Sequence, residues 1–416
     1  VKISARVTSF VFLLLVLFAF GFTWRDIRQG RMTSASTIAS ALDVALTPDH
    51  QSPTQEFTQA YDRIRNDYYK PVEAQKLTFA GMEGLMSSLG DPHTMFLEPV
   101  QAQEFSLETQ AHFVGVGARL APDPLGAKVA VVFDNGPAVR AGLKAGDIIT
   151  GVDGKSMVGV VLDDIVAKIR GEEGTLVKLQ VLRASTNKPL QIVAKRATVI
   201  TPTVSGGTVL PGTNIGYFAV ASFSEPTAQQ FDQELAKVEK QHINGLVIDM
   251  RDNPGGLLET AVDMLSRFAE DKVVVTMKER DKEDVARTYT GQKHVFSYPI
   301  AILINEDSAS AAEIFSGVLQ DYGLATLVGT HSYGKASVQN VTPLIGGSSA
   351  KITIARYFLP SGRDIGRKVD DEGQYISGGL NPDVKADLDL DKQVVFGDLK
   401  TDTQLQKAVS VLQGKK

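Results

Sequence analysis

Residues 300–313 read Ile300-Ala-Ile-Leu-Ile304-Asn-Glu-Asp-Ser308-Ala-Ser310-Ala-Ala-Glu313. An unbroken apolar run closed by an Asn-Glu-Asp cluster is the pattern of a strand buried on both faces. The small residues behind it open a helix, Ser310–Tyr322, and a further strand follows at Ala325–Val328. Upstream, Ile215–Val220 and Gly245–Met250 repeat the buried-strand pattern, with helices at Pro226–Gln241 between them and at Leu257–Ala269 after them. Strands alternating with helices predict a layered α/β domain. Ser337–Pro343 and Lys351–Leu359 flank Gly346-Gly347 and read as a hairpin, and Thr401–Leu412 reads as a closing helix. This domain is expected over residues 199–416.

Further upstream the texture changes. Short β-rich runs at Lys128–Phe133, Ile148–Val152, Val177–Leu182 and Leu190–Ala194 are separated by Gly and Asp turns, with one amphipathic helix, Leu162–Arg170, among them. They predict a compact β-rich module over 111–198. Before it, Phe57, Tyr61, Ile64 and Tyr68 recur at helical spacing. A second helical stretch, Leu77–Leu89, stops at the breaker Gly90-Asp91-Pro92, giving an N-terminal helical module over 54–110. Residues 29–53, rich in Ser, Ala, Thr and Pro, read as a linker. The expected class is therefore multidomain α+β.

Residues 1–28 read as a signal-anchor or transmembrane segment. No charge occurs from Val7 to Trp24, and eighteen helical residues span roughly 27 Å, close to the hydrocarbon thickness. A cleaved signal peptide is the alternative, although no small-x-small site follows the apolar run. Lys2 and Arg6 before the span and Arg25, Arg28 and Arg31 after it leave the orientation undecided.

Composition narrows the chemistry. The 416 residues carry a formal net charge of −5, which gives no reason to expect nucleic acid. There is no cysteine, so disulfides, zinc–thiolate sites and a cysteine nucleophile are absent. Scattered histidines without HxH or HxxxH spacing predict no metal and no cofactor.

Four features carry chemistry. Ser310, at the first turn of its helix, faces backbone N–H groups and the positive end of the helix dipole, where a nucleophile and an oxyanion can be served. Ser310-Ala-Ala-Glu313 is equally a capping box, with Ser310 simply an N-cap. Lys335, in Ser332-Tyr-Gly-Lys335-Ala-Ser-Val-Gln339, has uncharged neighbours and can act as a base if burial lowers its pKa; otherwise it is a turn lysine. Gln339 can orient that amine only if the chain turns between the two; otherwise it is a strand residue. Asp249-Met-Arg251-Asp-Asn253-Pro-Gly255-Gly256 follows a buried strand, and its glycines can present an oxyanion donor or form only a tight turn. In the β-rich module, Gly115, Val116 and Gly117 form a loop able to capture a terminal carboxylate. Leu162, Ile165 and Val166, with Ile169, offer the opposite wall of a peptide groove.

The segment Asn135-Gly-Pro-Ala138-Val-Arg-Ala141-Gly142-Leu143-Lys-Ala-Gly146-Asp147-Ile148-Ile-Thr-Gly-Val152-Asp153-Gly154 closely resembles the PDZ domain. Followed in order by Asn253-Pro-Gly-Gly256, Ser308-Ala-Ser310 and Gly334-Lys335, it makes the chain similar to the carboxyl-terminal processing (tail-specific) proteases. The resemblance covers roughly 55–413 and includes Leu89-Gly-Asp-Pro92, Pro360-Ser-Gly-Arg363 and Gly379-Leu-Asn-Pro-Asp383. It implies a crotonase/ClpP-like serine protease domain with Ser310 as nucleophile, Lys335 as general base and Gln339 orienting the lysine. Gly255 or Gly256, with the Ala311 N–H, would form the oxyanion hole. It also implies a PDZ module that binds C-terminal tails of protein substrates and gates the active site; in such a gate Arg170, at the end of the groove helix, is the candidate contact between PDZ and protease. An extracytoplasmic, membrane-anchored location, in the periplasm or cell envelope, follows from the same likeness. Helices at both ends suit a homodimer, and an adaptor protein is a further expected partner. Ala312, Tyr333 and Ala336 depart from the family's usual Ser, Phe and Gly without touching an implied catalytic group. PDZ proteases of the high-temperature-requirement type have the opposite domain order and a His–Asp–Ser triad, both missing here. A catalytically idle PDZ scaffold is the alternative from another class.

Overall fold

The structure, a computed structural model, describes residues 52–416 except 134–135, 184–185, 187, 269–270, 289–293, 295, 371, 390–393 and 415–416. The expected anchor and nearly all of the expected linker lie outside those residues. Among the described residues no helix is long and apolar enough to cross a membrane. The chain divides at Gly84/Leu85 into two compact units.

The first unit is a helical hairpin of α1 (Pro53–Asp67) and α2 (Ala74–Ser87), the latter running across the division. Ser52 caps α1 through a complete capping box with Gln55, and Pro53 stands at the first helical position, where its missing N–H has no cost. Tyr61 Oη donates to the Ala74 carbonyl at 3.1 Å and fixes the turn. Neither helix has a buried residue.

In the second unit, β1 (Met95–Leu97) and α3 (Pro99–Thr109) come first. The sequence places both in the helical module. Instead β1 pairs with residues 349–351 of the C-terminal half, Met95 opposite Lys351. A three-residue strand whose partner lies far along the chain leaves no local periodicity to read.

The β-rich module follows: β2 (His112–Gly115), β3 (Ala118–Asp123), β4 (Gly126–Val132), α4 (Pro137–Arg140), β5 (Ile148–Val152), β6 (Lys155–Ser156), α5 (Leu162–Ile169), β7 (Leu176–Arg183), β8 (Lys188–Lys195) and β9 (Ala197–Ile200). The sheet order is β3-β4-β5-β7-β8, with β6 on β5. Its core includes Val129, Ile149, Ile165 and Leu179. The buried Arg196 guanidinium donates to the carbonyls of Ile169 (2.8 Å) and Lys168 (3.2 Å). A cation on the carbonyl end of α5 complements its dipole. The chain enters through β2 and leaves through β9, which form a separate antiparallel ribbon with His112 opposite Ile200.

The α/β domain comprises β10 (Val204–Val209), β11 (Ile215–Val220), α6 (Thr227–Glu239), β12 (Gly245–Asp249), α7 (Leu258–Leu265), β13 (Val273–Glu279), β14 (Val285–Thr288), β15 (Ile300–Ile304), α8 (Ala311–Asp321), β16 (Thr326–Gly329), β17 (Ser337–Pro343), β18 (Ser349–Phe358), β19 (Lys368–Val369), β20 (Tyr375–Ser377), β21 (Val384–Lys385) and α9 (Thr403–Leu412). A six-stranded sheet runs β10-β11-β12-β15-β16-β21, parallel throughout except at β10. Every residue of β12 and β15 is buried. Ile300, Ile302 and Ile304 face α6, α7 and α8, whereas Ala301 and Leu303 face α9, which is why these strands read as continuous apolar runs. Phe315 of α8 packs edge-on against Phe268 and Phe231, at 5.5 and 6.2 Å between ring centroids, so the helix behind Ser310 is held by aromatic packing. A second, antiparallel sheet orders β1-β18-β13-β14, with β17 also on β18.

A charge network joins α9 to the end of β12. Arg251 donates to both oxygens of Asp249 (2.9 and 2.6 Å) and both of Asp402 (2.9 and 2.6 Å). It also reaches Gln404 Oε1 at 3.0 Å, and Tyr217 Oη donates to Asp249 Oδ2 at 2.9 Å. The three charged side chains are 0–3% exposed. Asp402 in turn caps α9 by accepting from Leu405 N–H at 3.0 Å. Buried charges of this kind are tolerable only while fully paired. Arg251→Met should therefore lower stability by about 3–5 kcal/mol, read as the shift in a urea unfolding midpoint. An unchanged midpoint would show that the network does not hold α9.

Candidate active site

The segment that opened the sequence reading forms a sharp turn. Ser310 adopts φ 55°, ψ −116° between β15 and α8, a conformation rarely taken by residues with a Cβ and costing about 1–3 kcal/mol. A serine on a strained strand-to-helix turn has its hydroxyl thrust clear of the sheet. The expected capping box is present. Ser310 N–H donates to Glu313 Oε2 at 2.8 Å, while the Ser310 hydroxyl has the box arrangement without a side-chain cap hydrogen bond.

The Asn-Pro-Gly-Gly turn lies directly against this serine. Gly255, at φ 95°, comes so close that an added Cβ would stand 2.7 Å from Ser310 Cβ and 2.8 Å from Ala311 N. At Gly256, φ 139°, a Cβ would stand 2.0 Å from the Phe223 carbonyl oxygen. Asn253, fully buried, accepts from Gly255 N–H at 2.9 Å and donates to the Val220 carbonyl at 2.8 Å. This separates the two expected donors. Gly255 N–H is engaged internally, whereas the N–H groups of Gly256 and Ala311 meet no acceptor among the described residues. Ser308 adds a stitch, its hydroxyl donating to the Met250 carbonyl at 2.8 Å, and Tyr333 N–H donates to the Ser308 carbonyl at 3.0 Å.

Lys335 lies in the irregular segment before β17 and is half-buried. Its amine makes no ion pair and no hydrogen bond with any described residue, Ser310 Oγ and Gln339 included. Burial holds its pKa below the ordinary lysine value, with Lys351 adding and Asp91 and Glu313 opposing. Gln339 turns elsewhere: its amide donates to Ser337 Oγ (2.8 Å) and Thr353 Oγ1 (3.1 Å). The reason is register. Gln339 sits opposite Thr353 in the β17–β18 ladder, so a cross-strand hydroxyl is its nearest partner. Thr353 N–H donates to Thr94 Oγ1 (3.0 Å), which donates to Asp91 Oδ2 (2.7 Å). The Gly90-Asp91-Pro92 breaker is therefore part of the floor of the site. His93 beside it is held below its ordinary pKa by burial and then by Lys335, with Lys351 adding and Asp91 opposing.

The sequence reading missed Glu313 as anything but a cap. Its carboxylate is fully buried and accepts from Ser310 N–H, Lys335 N–H (2.9 Å), Gly334 N–H (2.7 Å) and the Ser332 hydroxyl. Burial pushes the carboxyl above its ordinary pKa, and these donors pull it only partly back. A charged residue one turn into an otherwise small and apolar helix start was the available signal. Tyr357 was also missed: its hydroxyl donates to the Lys335 carbonyl and lies 3.4 Å from the Ser310 carbonyl.

In the β-rich module a cavity of about 220 Å³ lies between β3 and α5. Of the residues assigned to the groove, Gly115, Val116, Val166 and Ile169 line it, joined by Phe133 and Arg170. Ile165 is fully buried in the module core, and Leu162 packs against that core, so neither forms the wall assigned to it. An apolar stripe spanning two faces of a short helix does not itself say which face meets the core. Gly117 is also not a lining residue; at φ 81° it turns the chain, and its carbonyl accepts from Phe133 N–H at 2.9 Å. Among the described residues β3 pairs only with β4, leaving its other edge without a described strand partner beside α5. Arg170 is exposed at the end of α5, and its side chain forms no hydrogen bond or ion pair with a described residue; the expected bridge to the protease domain is not made here.

These elements define a serine peptidase that carries a PDZ module. The profile of peptidase family S41 matches residues 214–386 and that of the PDZ domain residues 128–183. The chain is 33% identical over 357 residues to the carboxy-terminal processing protease CtpB of Bacillus subtilis (strain 168), covering 85% of this chain and 74% of the relative. To CtpA of the same organism it is 31% identical over 399 residues, covering 91% and 83%. Among solved structures, an S41-assigned protein from Bacteroides fragilis NCTC 9343 shares the fold at TM-score 0.54 and 16% identity, covering 80% of this chain and 90% of that one. The chain belongs to the carboxy-terminal processing proteases of peptidase family S41.

Gly255→Ala should reduce kcat about a hundredfold, since a misplacement of about 1 Å near the reacting atoms has that effect. Binding of a peptide tail to the isothermally titrated protein should be unchanged. Full kcat in this variant would mean that the contact with Ser310 is not needed.

Proposed function

We propose that the protein is an endopeptidase that cuts protein substrates near their C-termini with Ser310 as nucleophile and Lys335 as general base. The observation that carries this reading is the strained Ser310 turn, flanked by the unengaged N–H groups of Gly256 and Ala311. Ser310 Oγ attacks the scissile carbonyl carbon while the neutral Lys335 amine takes its proton. The resulting oxyanion accepts from Gly256 and Ala311 N–H. Lys335 then protonates the departing amine, the C-terminal fragment leaves, and water, deprotonated by the same lysine, hydrolyses the acyl-enzyme. An amine held below its ordinary pKa, with no carboxylate paired to it, supports the basic role. Gln339 would reach the amine only after leaving Thr353.

The PDZ module is proposed to bind the substrate tail as an added strand on the open edge of β3, its apolar end in the cavity between β3 and α5. Arg170, which lines that cavity, is proposed to sense an occupied groove. Because Ser310 and Lys335 are not hydrogen-bonded here, tail binding that brings them together would account for gating. The exposed Phe57 and Ile64 of a helix without buried residues suit self-association.

Ser310→Ala and Lys335→Ala should each abolish cleavage of a protein with an apolar C-terminal tail while leaving tail affinity intact. In the wild type, kcat/KM should rise with pH through a midpoint below the ordinary lysine range, because the active form is the deprotonated amine and its pKa is lowered. Cleavage by either variant would refute the assignment of these two residues, whereas no cleavage by the wild type would leave a tail-binding scaffold as the reading.

The uncharged stretch Val7–Trp24, almost wholly apolar from Phe10 to Phe22, supports an extracytoplasmic, membrane-tethered location. A phosphatase reporter fused behind Arg31, active only after export, should be active; an inactive fusion would place the domain in the cytoplasm.

A further inference from the structure

Lys335 belongs to a stretch, 331–336, that has neither helix nor strand. Its position relative to Ser310 is therefore not set by secondary structure, and something else must fix it. Two buried side chains do so from opposite sides. On the amide side, a single oxygen, Glu313 Oε2, accepts from both Ser310 N–H (2.8 Å) and Lys335 N–H (2.9 Å). On the carbonyl side, the Tyr357 hydroxyl donates to the Lys335 carbonyl and faces the Ser310 carbonyl at 3.4 Å. Tyr357 is 1% exposed. It stands in β18 opposite Met277 of β13, and its own N–H donates to the Ala336 carbonyl at 3.0 Å. Its ring is thus anchored in a sheet, and the hydroxyl is its only polar link to the two residues.

We propose that Tyr357 is a positioning residue of the peptidase reaction, closing with Glu313 a clamp that holds the peptide units of Ser310 and Lys335 in one register. The inference rests on the reading of those two residues as nucleophile and base. A strained φ at Ser310 persists only where the surroundings over-determine it. Hydrogen bonds to both N–H groups and to the Lys335 carbonyl, with the Tyr357 oxygen also beside the Ser310 carbonyl, supply that constraint without using either reactive side chain. Packing alone gives a different expectation, because Phe at position 357 would fill the same space.

The test is Tyr357→Phe in the full chain, with kcat, KM and the pH profile of kcat/KM measured on an apolar-tailed protein. We expect kcat to fall about tenfold to a hundredfold, with KM within about twofold. The rising limb of the profile should move to higher pH, since a loosened Lys335 regains water and its pKa climbs back toward the ordinary value. The other charged groups facing that amine, Asp91, His93, Lys351 and Glu313, are unaltered in this variant, so the move reports position. Labelling of Ser310 by a fluorophosphonate should slow in parallel. Wild-type kcat and an unmoved pH limb would overturn the clamp while Ser310→Ala and Lys335→Ala remain inactive. Activity in those two would overturn the underlying reading instead. If thermal melting shows Tyr357→Phe unfolded, the same measurements on Glu313→Gln decide, a wild-type kcat again overturning the proposal.

Discussion

A buried carboxylate with all its acceptor positions occupied is the constraint on which the active-site region depends. An ionised Glu offers two oxygens and about four lone-pair sites, and Glu313 fills them with donors from Ser310, Ser332, Gly334 and Lys335. Taking such a group out of water costs several kcal/mol, recovered only if every site is satisfied. The arrangement is consequently cooperative, because removing any donor leaves the others around a poorly solvated charge. Through Ser332, whose oxygen accepts from Leu380 N–H at 2.6 Å, the same carboxylate is linked to the segment leading into β21. Helix α8, the lysine loop and the sheet edge are thereby fixed to one another by one side chain.

The Gly-Gly turn is held from the other direction. Phe223 N–H donates to the Gly255 carbonyl (2.8 Å) and Leu257 N–H to the Phe223 carbonyl (2.6 Å). One step further, Glu225 N–H donates to the Thr109 carbonyl at 3.1 Å, and the Ser224 hydroxyl to the Glu108 carbonyl at 3.1 Å. Glu108 and Thr109 end α3, immediately before β2, the strand by which the chain enters the PDZ module. A series of hydrogen bonds therefore runs from the end of α3, just ahead of the module's entry strand, to the Gly-Gly turn. Apart from the Ser224 hydroxyl it passes through backbone groups, whose geometry does not depend on side-chain identity.

The α/β layering was legible because β12 and β15 are buried on both faces and so read as uninterrupted apolar runs. Ser310, Lys335 and the paired glycines were legible as features, but not their relation. Each has an equally good local explanation, and the contacts that relate them join residues 19–22 positions apart through Glu313. Tyr357 gave no signal, since an aromatic in a strand reads first as core. β1 escaped for the opposite reason, a strand too short for any periodicity. The groove helix was found correctly, yet Leu162 and Ile165 were put on the wrong side of it. Its apolar stripe fixes the helix and not its rotation.

The way Glu313 holds the lysine also decides what that lysine can do. A carboxylate about 4 Å from an ammonium contributes about 4 kcal/mol at an effective dielectric of 20, or about three pK units in favour of the charged form. Such a pair would keep Lys335 protonated and useless as a base. Glu313 grips the lysine by its amide instead, with its oxygens turned to N–H and O–H donors. The amine is left facing Lys351, a like charge, with Asp91 and Glu313 only opposing influences. Position and protonation are thus controlled by different ends of the same residue. Fixing the backbone of Lys335 anchors the loop, and leaving its amine unpaired allows burial to lower the pKa.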